Sequence, residues 1–119
     1  MERLRRRTDF KAVAGGKRVS RPGFVLQALQ AAGSEGARQP RVGFTVTRKI
    51  GNAVVRNRIR RRLRAAVKAV GGNLESATDY VLVGRRAALP LQFQRLVTDL
   101  ETGLAALSQN RPAPDRSVQ

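Results

Sequence analysis

The segment Lys49–Arg64, KIGNAVVRNRIRRRLR, constrains the fold more than any other part of the chain, because it reads as a strongly basic helix with its own buried face. At about 100° per residue, Val55, Ile59, Leu63, Ala66, Val67 and Val70 fall within an arc of roughly 120°, wide enough to dock on a core. The rest of the helix surface is basic. Arg56, Arg60 and Arg64 follow one another at four-residue spacing on one flank, Arg58 and Arg62 lie on the other, and Asn57, Arg61 and Lys68 point outward. Two basic flanks on one docked helix predict two contacts with a polyanion.

Like charges four residues apart each cost an isolated helix roughly 0.2–0.5 kcal/mol, and this helix has several such pairs. No Asp or Glu occurs between Glu35 and Glu75 to relieve them. An external polyanion therefore fits better than internal salt bridges. A merely solvated, solubility-conferring face is the plain alternative, and the length of the acid-free interval argues against it.

Composition bounds the remaining possibilities. A chain of 119 residues is one domain with a modest core, and a net charge of +16 points to phosphate-rich partners. Cysteine and histidine are both absent, which removes disulfides, thiolate zinc sites, a cysteine nucleophile and the usual imidazole base for Ser or Thr. The eight acids are scattered. Asp99 and Glu101 diverge on a helix, and Glu75 and Asp79 could meet only if helix ran on to the strand that follows. The sequence thus predicts neither catalytic residues nor a metal site. The basic N-terminus, MERLRRRTDF, lacks the apolar stretch of a secretory signal, and no run approaches a membrane span of ~20 apolar residues. The expectation is a cytoplasmic protein with no membrane association, since the helix flanks carry no aromatic anchor for a lipid surface.

Along the chain, Thr8 is the expected N-cap of a short helix, Asp9–Ala14, closed by Gly15 and Gly16. Lys17–Ser20 and Gly23–Ala31 read as strands, with Gly33–Pro40 as a loop. Arg41–Arg48 alternates, with Val42, Phe44 and Val46 on one face and Gly43, Thr45 and Thr47 on the other, as in a half-exposed strand. Asn52 is the expected N-cap of the basic helix and Gly71-Gly72 its end. Tyr80–Arg85 reads as a buried strand. Pro90 suits the first turn of a last helix carrying Phe93, Leu96, Val97, Leu100, Leu104 and Leu107 at helical spacing. The polar tail from Gln109, QNRPAPDRSVQ, is expected to be disordered, leaving a domain over residues 1–108 and a tail over 109–119. Gly33-Ser34-Glu35-Gly36 matches a GxxG phosphate clamp, but Glu35 would repel phosphate and a surface hairpin loop is the better reading. These elements make an α+β sandwich with helices packed on a small sheet.

GNAVVRNRIRRRLR, preceded by RVGFTVTRKI, resembles the signature of the bacterial ribonuclease P protein component. TDFKAV, RPGFVLQAL and DYVLVGRR extend the resemblance in the expected order from about Leu4 to Leu107. What it implies is the protein subunit of a ribozyme, in which catalytic RNA and its Mg2+ ions remove the 5′ leader from precursor tRNA, with no organic cofactor and no obligate protein partner. It implies an α-β-β-β-α-β-α single-domain sandwich of three helices on a four-stranded sheet, with a left-handed βαβ crossover through the basic helix against the usual rule. Carried to matching positions, it assigns Arg48, Lys49, Asn52, Arg56, Asn57, Arg58, Arg61 and Arg62 to the catalytic RNA. It assigns Phe10, Val25, Gln27, Arg60, Arg64 and Arg85 to a cleft that holds the single-stranded leader.

The chain departs from that pattern at Ala14 and Gln27, where family members often carry cleft aromatics. Stacking contributes roughly 1–3 kcal/mol per base in single-strand binding, so the expected grip on the leader rests more on charge. Competing readings are a ribosome-associated structural RNA-binding protein, a DNA-binding helix-turn-helix and a metal-dependent nuclease. The first is disfavoured by the intact GNAVVRNR element, the second by a strand where its first helix should be, the third by the acid-free basic segment.

Overall fold

The computed structural model describes residues 2–30 and 39–108. The GxxG match at 33–36, the expected loop up to residue 38 and the expected tail at 109–119 lie outside these residues. The elements are β1 (Glu2–Arg3), α1 (Arg7–Ala14), β2 (Lys17–Ser20), β3 (Phe24–Gln30), β4 (Arg41–Thr45), α2 (Ala53–Ala69), β5 (Thr78–Gly84) and α3 (Phe93–Ser108). They form one mixed sheet in the order β1-β4-β5-β3-β2. β4 pairs in parallel with β5 and β1, whereas β3 is antiparallel to β2 and β5.

Two-residue alternation divides the sheet between two apolar clusters. Phe24, Leu26, Ala28, Val42, Tyr80 and Leu82 meet Ile59, Leu63, Ala66, Val67 and Val70 from the α2 segment and Leu96, Leu100 and Leu104 from α3. Val81 on the opposite face joins Leu4 and Val13, with Phe10 and Val83 packed against them. The apolar stripe expected of α2 is thus the docked one. Its approach is close: a Cβ on Gly84 of β5 would lie 2.7 Å from Ile59 Cγ2 and 2.9 Å from Val46 Cγ2. Glycine at that position lets the basic helix sit directly on the central strand.

Several expectations need correction. The sheet has five strands instead of four, because Glu2 and Arg3 add a short parallel edge opposite Arg41 and Val42. No hydrophobic alternation marks a strand of two residues. α1 starts at Arg7, and its cap is the extended Arg6, without a side-chain hydrogen bond, instead of Thr8. The Arg6 carbonyl accepts from the amides of Asp9 and Phe10, so backbone bonds close the turn in place of a threonine hydroxyl. β4 ends at Thr45, ahead of a 3-10 turn at Arg48–Ile50. Its second face is not open, since Gly43 is covered by Phe10. β5 spans Thr78–Gly84, not Tyr80–Arg85.

At the last helix, Pro90 lies before the first turn, and the Gln92 carbonyl accepts from Arg95 and Leu96 instead. Phe93 is 40 % exposed while Asp99 is buried, its carboxylate accepting from Arg95 Nε at 3.0 and 3.1 Å. Asn52 caps α2 as expected, its side chain accepting from Val55 N at 3.0 Å. Among the described residues, no helix is long and apolar enough to cross a membrane.

Candidate nucleic-acid interface

The α2 arginines divide by what they touch. Arg58 and Arg61 are exposed. Arg56 Nε donates to Gly51 O at 3.1 Å, and Arg60 Nη1 to Asn57 Oδ1 at 2.9 Å. Arg62 turns toward the segment before α3, where Nε donates to Ala88 O at 2.9 Å and Nη2 to Leu91 O. Arg48 and Lys49 occupy the exposed turn before Asn52. Across that turn, Arg86 Nη1 donates to Ile50 O at 2.5 Å.

No carboxylate among the described residues pairs with an α2 arginine. The acids that form ion pairs do so elsewhere: Asp79 receives Arg41 at 2.7 Å, Asp9 lies 3.6 Å from the same guanidinium, and Asp99 holds Arg95. The hydrogen bond and charge of Asp79 outweigh desolvation and raise the Arg41 pKa further above its ordinary value. Burial pushes the Tyr80 phenol up, opposed by the Glu75 amide that donates to its oxygen. Neither effect touches the basic face.

Arg60, Arg61 and Arg64 line a groove on α2 together with Val54 and Asn57. The Arg64 Nε is buried without a hydrogen-bond partner, while its guanidinium carbon stands 5.5 Å from the centroid of the Phe44 ring. Phe44 also belongs to the wall of a second cleft, with Arg5, Arg7, Phe10, Lys11, Ala14, Gln27, Thr45, Val81 and Val83. Phe10 reaches this position because Gly43 has no side chain; a Cβ there would meet its Cζ at 2.5 Å. One residue of the cationic groove, Arg64, thus stands over the ring of Phe44, a residue of the cation-rimmed cleft wall. Such a surface can neutralise phosphates and offer apolar faces to unstacked bases.

A family model described as Ribonuclease P matches residues 1–108. The chain belongs to the ribonuclease P protein family. Ribonuclease P protein components from Brucella suis and Gluconacetobacter diazotrophicus are 38% and 48% identical to it, the alignments covering 98% and 86% of this chain and 87% of each relative. The ribonuclease P protein of Staphylococcus aureus superposes with a TM-score of 0.71 at 26% identity, covering 90% of this chain and 95% of that one. That of Thermotoga maritima gives 0.67 at 25% identity, covering 95% and 100%. Membership identifies the chain as a component of an endoribonuclease holoenzyme that processes tRNA.

The structure brings together only part of the expected ribonuclease P leader site. Phe10 and Gln27 line the cleft. Arg60 and Arg64 belong to the neighbouring groove, and Arg64 alone of the two contacts a residue of the cleft wall, Phe44. Val25 is buried in β3 and is not a cleft wall. Arg85 is exposed and donates from Nη1 to Arg21 O at 3.0 Å, also outside the cleft lining. Sequence reasoning missed Arg5, Arg7 and Lys11 on the rim and Phe44 as the link. The signal was available: Arg7, Phe10, Lys11 and Ala14 keep i, i+3, i+4, i+7 spacing and form one face of α1.

Proposed function

We propose that the chain binds the catalytic RNA of ribonuclease P through the turn before α2 and the exposed side of its N-terminal half, and holds the 5′ leader of precursor tRNA in the α1 cleft. The observation that carries this reading is the groove of Arg60, Arg61 and Arg64, whose Arg64 stands over Phe44 in the wall of a cleft also lined by Arg5, Arg7 and Lys11. Arg48, Lys49, Asn52, Arg56, Asn57, Arg58 and Arg61 contact catalytic-RNA phosphates. Arg62 contributes mainly by fixing the Ala88–Leu91 segment beside them. Phe10, Gln27, Arg60 and Arg64 serve the leader, joined by the three rim cations; Val25 and Arg85 support that end of the sheet. The β4-α2-β5 crossover takes the left-handed form that the family resemblance implies.

Cleavage in this reading belongs to the RNA and to the Mg2+ it holds, which supplies the activated water. The protein positions and neutralises. The holoenzyme works in the cytoplasm on precursor tRNA, without a membrane or an obligate protein partner.

The test is reconstitution. RNA-free protein should leave precursor tRNA intact, and addition of catalytic RNA with Mg2+ should produce the mature 5′ end. Mg2+-dependent cleavage by rigorously RNA-free protein would overturn the assignment, and recovery of ribosomal RNA alone with the chain from cells would favour a ribosome-associated role instead.

A further inference from the structure

β4 and β5 are parallel neighbours, paired up to Thr45 opposite Val83. Their carboxyl ends therefore lie side by side, and the turns that follow leave the sheet together: Arg48–Ile50 on the way to α2 and Arg86–Ala88 on the way to α3. The first is a single 3-10 turn without a side-chain hydrogen bond at its N-cap, Thr47. Ile50 N–H donates to Thr47 O at 3.1 Å and Gly51 N–H to Arg48 O at 3.3 Å. So short a piece of 3-10 helix holds its shape weakly by itself. Two arginines reinforce it at successive carbonyls. Arg86 Nη1 donates to Ile50 O at 2.5 Å, and Arg56 Nε to Gly51 O at 3.1 Å. Arg48 and Lys49, the cations this turn presents, are exposed.

The Arg86 guanidinium rests against the turn: its Nη1 lies 3.4 Å from where a Cβ on Gly51 would stand. Its own segment is braced. Arg85 N–H donates to Gly23 O at 2.9 Å, Ala88 N–H donates to Arg85 O at 3.0 Å, and Arg62 of α2 grips Ala88 O and Leu91 O. The donor thus comes from a fixed segment and the acceptor from a weakly held one. The bond lies at the surface, where water would replace the guanidinium on the carbonyl, so its loss costs the fold little. What the bond changes is the number of conformations open to the turn before RNA arrives. Ordering long, flexible side chains at the moment of binding lowers affinity unless it is done in advance.

We propose that Arg86 is a positioning residue for the catalytic-RNA interface: it holds the turn from Arg48 to Gly51 so that Arg48 and Lys49 meet the RNA already ordered, and it does not itself neutralise a phosphate. This rests on the reading above that Arg48 and Lys49 contact catalytic RNA, and it adds a residue from the far side of β5 that acts through them.

The test is a double-mutant cycle read as affinity of the full chain for the catalytic RNA, together with amide hydrogen exchange of the RNA-free protein. Arg86→Met should weaken assembly about three- to tenfold and speed exchange at the amides of Ile50 and Gly51, while exchange in α2 and β5 stays as it was. Arg86→Lys, which keeps a donor, should recover most of both. In a chain that already carries Arg48→Met and Lys49→Met, Arg86→Met should weaken assembly no further. An equal loss in both backgrounds would mean that Arg86 meets the RNA directly, and overturns the proposal. Unchanged exchange at Ile50 and Gly51, or unchanged assembly, overturns it too. If the Arg48→Met, Lys49→Met chain assembles as well as wild type, the interface reading of this turn falls; if that pair weakens assembly and Arg86→Met shows no coupling to it, only the present proposal does.

Discussion

The guanidinium of Arg64 lies 5.5 Å from the ring centroid of Phe44, so one α2 cation is held against the strand that walls the α1 cleft. A cation over an aromatic face gains about 0.5–2 kcal/mol depending on desolvation. The contact orients Arg64 while leaving its buried Nε without an acceptor. An arginine fixed by its π face and still short of an acceptor is ready to take a phosphate.

Replacing Arg60 and Arg64 together with glutamine should therefore weaken binding of leader-bearing precursor tRNA more than assembly with catalytic RNA. Affinities of the assembled enzyme for substrates with and without the leader measure the difference. Equal losses for both substrates would show that this flank does not serve the leader.

Arg58 and Arg61 are exposed and have no carboxylate partner among the described residues. Their replacement by glutamine should weaken assembly with catalytic RNA and flatten its dependence on salt, by roughly 0.7–0.9 in the logarithmic slope for each phosphate that is no longer neutralised. Assembly titrations from low to moderate salt, on variants with native circular dichroism, provide the reading. An unchanged slope would remove these two residues from the interface.

Arg62 should behave differently from its neighbours. Its bonds to Ala88 O and Leu91 O tie α2 to the entry of α3, and hydrogen bonds to a charged group contribute about 1.5–3 kcal/mol. Arg62→Ala should lower stability to urea by about 1–3 kcal/mol, whereas Arg61→Ala should leave it within about 0.5 kcal/mol. Equal urea midpoints for the two variants would contradict the anchoring role.

Gly84 offers a test of how α2 is seated. A Cβ there would come within 2.7 Å of Ile59, and overpacking of this kind typically costs about 1–3 kcal/mol. Gly84→Val should lower the stability to unfolding by that amount or more, while Gly71→Ala, with nothing within 4 Å of its Cβ position, should be nearly silent. A thermal or urea melt separates the outcomes.

The basic helix was legible because two independent signals agreed: an apolar stripe from Val55 to Val70 and a cap at Asn52. Ile59, Leu63, Ala66 and Val67 are buried as that stripe requires. The α1 cleft was only half legible. Its wall is assembled from α1, β3, β4 and β5, and no local period reports which strands become neighbours. β1 escaped notice because its pairing depends wholly on β4 being in place. The role of Arg62 was hidden for a related reason, since a side chain on a helix flank reaches back to carbonyls 26 and 29 residues away. Charge pattern identifies cations; it does not say which of them the fold has already used.

The basic helix is also the connection between two adjacent parallel strands, β4 and β5. Its 17 residues span about 25 Å at 1.5 Å per residue, anchored covalently at both ends to the middle of the sheet. On the proposed function, α2 is a fixed ruler between two RNA molecules. The angle between catalytic RNA and leader is set across one helix, by the two flanks that its buried stripe fixes against the sheet.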